Sequence, residues 1–294
     1  MNPEKRGLIA FLALTFALTW FVEIVLLPPL PRTGMGYIMG LVGLMLIPGC
    51  CATLVRLFVE RRGFGDAGLR WGRGRWYLWA WLLPPAVAGA AMGLALLAGQ
   101  AEFDPYLTEL MVKLHHQLAA SGQQAKLPPI EKVRIYLILG SLTQAVVMNL
   151  LPCFGEEFGW RGYLLMRLMP LGAGRAVVLT GAIWGLWHAP ITLQGHNYPD
   201  HPQVGVLLMT TFCIALGIIL GWLRLVSGSV FPAALGHAAV NGPGSTPLAF
   251  LRARNDLTTG LTGLLGQAVL LVVALVLWRL TPVRDASHQI PPEE

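Results

Sequence analysis

Apolar runs of roughly 20 residues alternate with short polar connectors along most of this chain, and at ~1.5 Å per residue each run reaches across a ~30 Å hydrocarbon layer. The rhythm predicts spanning helices near 8–30, 37–59, 77–98, 134–151, 176–193, 204–223, 230–241 and 261–280. The expected fold class is therefore all-α, a polytopic transmembrane helix bundle with about eight spanning helices, forming a single integral membrane domain over 1–294. The polar stretch from Gln100 to Lys132 breaks the rhythm and reads as an amphipathic helix lying on the membrane surface. The first run follows Lys5 and Arg6 as a signal sequence would. It exceeds the usual apolar length and has no small-x-small cleavage site, so it is expected to be a retained helix.

Composition agrees with the pattern, since 55% of residues are apolar and only 12% charged, about half the charge of an ordinary soluble domain. The net charge of +6 is distributed over connectors, where arginine orients helices, so a nucleic-acid partner is not expected. Arg56, Arg61, Arg62, Arg70, Arg73 and Arg75 cluster around the second connector, whereas the first carries Arg32 alone. The basic side is expected to be cytoplasmic, in an inner cell membrane. Alternation then puts both termini inside, with Arg161, Arg167, Arg175, Arg224, Arg279 and Arg284. Arg252 and Arg254 fall outside and strain this scheme. Cys50, Cys51, Cys153 and Cys213 lie in or beside apolar runs without CxxC spacing and read as small buried hydrophobes.

An ionisable group within an apolar run costs at least ~2.5 kcal/mol on insertion scales, so each one asks for a function. Gly155-Glu156-Glu157-Phe158-Gly159-Trp160-Arg161 is the densest case. On a helix Glu157 and Arg161 share a face and can pair, while Glu156 points about 100° away. Pro152 is expected to interrupt the helix just before them. His188 follows in Trp184-Gly185-Leu186-Trp187-His188, and His237 and Asn241 stand four apart in a short apolar segment. Counting residues from the basic side gives these groups overlapping depths, so Glu156, His188, His237 and Asn241 are expected to face one inner-leaflet cavity. A carboxylate and imidazoles there can activate water towards an amide carbonyl and stabilise the oxyanion. The same four residues can instead hold Zn2+ or another divalent metal, and the residues alone leave that open. No HExxH or GxSxG occurs. Gly63-Phe64-Gly65-Asp66 spells GxGD but lies in the arginine-rich connector and reads as a turn. Glu23, alone in the first span, reads as a helix contact.

Three motifs in order, Glu-Glu-x-x-x-Arg at 156–161, aromatic-x-x-x-His at 184–188 and His-x-x-x-Asn at 237–241, resemble the CPBP family of intramembrane proteases. That family includes the type II CAAX prenyl endopeptidases and bacterial bacteriocin-processing or immunity proteins. The resemblance covers roughly 134–245, with Gly68-Leu69-Arg70 a turn seen in similar chains. It implies Glu156 as the water-activating base assisted by His188, with His237 and Asn241 binding water or metal and stabilising the oxyanion. Glu157 and Arg161 are then a supporting pair. The implied partners are the lipid bilayer and a peptide or lipid-modified protein substrate. Trp184 stands where the family usually has Phe, and is expected to serve equally as an aromatic wall. The competing classes are a non-enzymatic immunity or scaffold protein, and a proton- or ion-coupled transporter, for which no paired broken helices in two halves are visible.

Overall fold

A helix covers most of each apolar run in the computed structural model, which describes residues 2–120, 127–252 and 255–281. Arg254, Arg284 and the C-terminal end lie outside the described residues. The helices are α1 (Pro3–Phe21), α2 (Met35–Leu54), α3 (Gly74–Leu97), α4 (Thr108–Ala120), α5 (Ile130–Gly140), α6 (Val146–Glu157), α7 (Leu165–Leu168), α8 (Ala173–Trp187), α9 (Ala189–Leu193), α10 (Pro202–Ser227), α11 (Phe231–Asn241) and α12 (Leu264–Leu280). Widened π-helical turns extend α1 over Val22–Leu26 and α2 over Val55–Glu60. Two more, Ser141–Ala145 and Phe158–Leu164, join α5, α6 and α7.

Among the described residues five helical runs are long and apolar enough to cross a membrane: Pro3–Leu26, Met35–Glu60, Gly74–Leu97, Ile130–Leu171 and Pro202–Ser227. The other three expected spans are shorter, with 15 residues in α8, 11 in α11 and 17 in α12. Proline explains two of them. Pro190 ends α8 at His188 and restarts the chain as α9, and Pro243 follows the end of α11 at Asn241. Helix α11 rises only ~16 Å, and the tighter 3-10 turns of Pro243–Phe250 continue for about the same distance. Pro152, in contrast, does not interrupt its helix: α6 runs through it to Glu157. Close packing holds the run, because a Cβ on Gly155 would lie 2.8 Å from the Met45 carbonyl and one on Gly159 2.6 Å from the Pro48 carbonyl carbon.

Polar ties gather the connectors onto two faces. On one, Arg62 pairs with Glu4 at 2.8 Å, Arg70 bonds the Gly228 carbonyl, and Val230 N–H bonds the Gly68 carbonyl. Gly68 has φ +76°, and its missing side chain leaves room for the Arg224 guanidinium. The turn that includes Gly68-Leu69-Arg70 thereby docks the α10–α11 corner. The buried Arg56 donates to Asp66 at 2.6 Å and to the Gly162 carbonyl at 2.9 Å, while Arg167 bonds Asp66 and Glu60. Burial alone would raise Asp66, but Arg167 and Arg56 outweigh it and hold its carboxyl below the ordinary value. Asp66 thus anchors a turn, as its connector suggested. On the opposite face Arg32 bonds the Gln194 carbonyl, His201 bonds Asp256, and Glu102–Phe103 pairs antiparallel with Leu251–Arg252. Arg252 there is neutralised by Glu102 at 2.8 Å. Helix α4 follows that strand, with His115 and His116 exposed.

Helices α8 and α10 meet through small residues. Gly181 and Gly185 face α10 so closely that an added Cβ would lie 2.7 Å from the Ile214 Cα and 2.4 Å from the Thr210 Cα. Such Gly-x-x-x-Gly contact lets backbones approach where apolar lipid gives helices no hydrophobic reason to associate.

Candidate active site

Glu156 and Glu157 are the last two residues of α6, both buried. Glu157 accepts from Arg161 Nη1 at 2.8 Å, the pairing that four-residue spacing predicts. It also accepts from His237 Nδ1 at 3.0 Å. Glu156 makes no ion pair among the described residues. Its Oε2 accepts instead from the indole Nε1 of Trp184 at 2.7 Å and more weakly from that of Trp160 at 3.4 Å. Two neutral donors therefore orient this carboxylate without cancelling its charge.

The end of α8 presents His188. Its Nδ1 lies 2.9 Å from the Trp184 carbonyl, and a carbonyl can only accept, so Nδ1 carries the hydrogen and the neutral ring keeps its lone pair on Nε2. Helix α11 presents His237 and Asn241 one turn apart. Asn241 Nδ2 donates to Cys153 Sγ at 3.5 Å, and Cys153 precedes Glu157 by four residues. The His237–Glu157 and Asn241–Cys153 contacts are thus two rungs, one helical turn apart, between α11 and α6. One hydrogen of the Asn241 amide is left for another acceptor.

The elements meet on one indole. The ring of Trp184, besides donating to Glu156, lies 5.8 Å from the ring of His188 and 5.2 Å from that of His237. The Arg161 guanidinium stacks over it at 4.4 Å, a contact of ~0.5–2 kcal/mol. Glu156, Arg161, His188 and His237 therefore surround Trp184, with Glu157 joined to them through Arg161 and His237, while Asn241 is exposed one turn along α11. The substitution of Trp for Phe is more than an equivalent aromatic wall, because phenylalanine has no N–H to give Glu156. Trp160, Cys153 and Cys213, whose Sγ lies 3.9 Å from His188 Nδ1, were not foreseen as site neighbours. The four-residue spacings of Trp160 from Glu156 and of Cys153 from Glu157 place them there.

A divalent ion would draw on Glu156, His188, His237 and Asn241. The arrangement does not fit one as it stands: among the described residues no three His, Cys, Asp or Glu groups cluster to hold a metal. The Nδ1 bonds of both imidazoles leave each Nε2 free and the Asn241–Cys153 bond leaves its amide oxygen free, so the clustering is what is missing, not the donor atoms.

Residues 138–242 match the family model described as type II CAAX prenyl endopeptidase Rce1-like. No curated protein matches the sequence. The matched segment lies inside 134–245 and contains all three motifs.

Proposed function

From the CAAX-type membrane protease family supported by residues 138–242, we propose that the chain is an endopeptidase that hydrolyses peptide bonds of membrane-associated or lipid-anchored substrates. The observation that carries this reading is the placement of Glu156, a buried carboxylate with neutral donors only, across one indole from two imidazoles. A water that donates one hydrogen to Glu156 and the other to the His188 Nε2 lone pair is left with an oxygen lone pair for attack. That oxygen bonds to the carbonyl carbon as its proton passes to Glu156, and the carbonyl π electrons move to the oxygen. The spare Asn241 N–H donates to the resulting oxyanion, as does His237 through Nε2 when its ring carries both protons. Glu157, shared between Arg161 and His237, orients the latter. When the oxyanion reforms the carbonyl, the C–N bond breaks and the amine leaves with the proton from Glu156.

The two-faced distribution of ties supports an orientation with the arginine-rich face cytoplasmic, in a cell membrane. The reading is tested by incubating the purified full chain in proteoliposomes with a quenched membrane-spanning peptide and identifying products by mass spectrometry. We expect two fragments from one hydrolysed bond, at a rate unchanged by a chelator. Absence of cleavage across a panel of membrane peptides would favour a non-enzymatic role. Chelator loss reversed by zinc would overturn the metal-free step.

A further inference from the structure

Three arginines and a tryptophan crowd the connector between the second and third spans and take no part in the proposed chemistry. Arg70, Trp71, Arg73 and Arg75 are all exposed, Trp71 at 81% and its neighbour Leu69 at 45%. Because the connector joins the apolar runs Met35–Glu60 and Gly74–Leu97, it lies where the bundle meets the membrane surface. Its charge is unbalanced. Glu4 pairs with Arg62, Glu60 with Arg167, and Asp66 with Arg56 and Arg167, so each acid described on this face already has its cation. Among the described residues no carboxylate pairs with Arg70, Arg73 or Arg75. Arg224, whose guanidinium fills the space beside Gly68, adds a further positive charge: it is 6% exposed, bonds the Asp66 carbonyl and has no partner for Nε.

The patch is held in place. Val230 N–H bonds the Gly68 carbonyl at 3.0 Å, Arg70 Nε donates to the Gly228 carbonyl at 3.0 Å, and the Trp71 ring stacks on Phe231 at 5.0 Å with the planes 19° apart. Gly228, at φ +67°, leaves the room that the Arg70 guanidinium occupies, since an added Cβ would lie 2.4 Å from Nη2. The bond to Gly228 uses Nε, and the two terminal nitrogens remain for an outside acceptor. Arg75 lies over the Trp76 ring at 4.5 Å, a contact that leaves its N–H edge open. Cations fixed in this way bind with little ordering cost. An exposed indole among arginines fits the headgroup layer of a bilayer, where the ring body rests against lipid while its N–H and the guanidiniums face phosphate. A soluble anion would satisfy the arginines and leave Trp71 and Leu69 in water.

We infer that the connector over 69–75 is a binding site for the phosphate headgroup of an anionic phospholipid, with Trp71 resting at the lipid boundary beside it. The site lies over Phe231, the first residue of α11, which carries His237 and Asn241, but lipid binding needs no peptidase activity and is read without it. The test is native mass spectrometry of the purified full chain titrated with phosphatidylglycerol or phosphatidylcholine. Wild type should hold phosphatidylglycerol at least tenfold more tightly. A cation near an anionic membrane surface contributes about fivefold in affinity, so Arg73→Gln/Arg75→Gln, which spares the Arg70 tie to Gly228, should lose at least tenfold. Should that double variant fail to fold, Arg73→Gln alone carries the test with a loss of about fivefold. Arg6→Gln/Arg175→Gln removes the same charge from exposed arginines elsewhere on the expected cytoplasmic side, and should change affinity less than twofold. Equal losses in the two double variants would reduce the preference to net charge and overturn the inference, as would equal binding of both lipids. Trp71→Ala should also weaken phosphatidylglycerol binding, and dissolved glycerol phosphate should not displace the lipid. A site indifferent to Trp71 and emptied by glycerol phosphate would be one for a soluble anion, which would equally overturn it.

Discussion

Adding one methyl group at Gly185 tests whether the chemistry depends on the closeness of α8 and α10. In Gly185→Ala the new Cβ would fall 2.4 Å from the Thr210 Cα and 3.1 Å from its carbonyl oxygen. Carbon atoms pack at ~3.6 Å, so the helices must part locally by about 1.2 Å. Backbone atoms, unlike the far end of a flexible side chain, cannot swing aside. Overpacking of this kind costs ~1–3 kcal/mol, which lowers the thermal midpoint without abolishing the fold. The neighbours of Gly185 carry the larger consequence. Trp184, one residue before it, makes the 2.7 Å bond to Glu156, and a shift of this size takes that bond out of range. His188 lies less than one turn beyond. A misplacement of ~1 Å costs on the order of 100-fold in rate, so kcat should fall by about that factor. The assay is peptide cleavage in proteoliposomes, normalised to folded protein, with Gly89→Ala as control because a Cβ there meets nothing within 4 Å. If Gly185→Ala turned over within threefold of wild type, the claim that α8 and α10 closeness holds the site would be refuted.

Three further expectations follow from the geometry. Trp184→Phe removes the stronger of two donors to a carboxylate, worth ~1.5–3 kcal/mol, so kcat should drop roughly 10- to 100-fold with little change in KM; an unchanged kcat would make the indole a passive wall. Asp66 has its carboxyl held below its ordinary value of 3.8, so its ion pairs stabilise the fold above about pH 4 and fail as pH falls through the lowered value. The thermal midpoint should therefore decline more steeply below about pH 4 in wild type than in Asp66→Asn, and parallel curves would contradict this. Finally, single cysteines at Gly74, which is open to space, and at Tyr106, which is 70% exposed, should react with impermeant maleimide from opposite sides of the membrane. Gly74 should be the cytoplasmic one, and labelling of both from one side would break the two-faced topology.

Much of the helical layout was legible because lipid imposes it. A chain in hydrocarbon must satisfy its own backbone, so apolar length reads almost directly as helix. Lengths near proline were harder. Pro190 and Pro243 shorten α8 and α11, whereas Pro152 lies inside α6 without breaking it, and only packing against Met45 and Pro48 distinguishes the cases. Spacing gave the Glu157–Arg161 pair and the common face of His237 and Asn241, because both are local helical geometry. It did not give the His237 bond to Glu157, which joins residues 80 positions apart. The sequence marks Trp184 only as a departure, because its N–H acquires meaning once Glu156 lies opposite it. The Gly181-x-x-x-Gly185 and Gly217-x-x-x-Gly221 spacings were present in the sequence and mark the helix contact on which the site rests.

The most direct measurement is the turnover of Glu156→Gln beside Glu157→Gln, both reconstituted as full-length protein against the same membrane peptide. Glutamine keeps the shape and the acceptor oxygen of Glu156 but cannot take a proton from water, so its kcat should fall ~100- to 10,000-fold while the fold and KM persist. Glu157→Gln, one residue away, should lose less at kcat and more in thermal stability, because it weakens the bonds to Arg161 and His237. Wild-type turnover in Glu156→Gln would contradict the account at its centre.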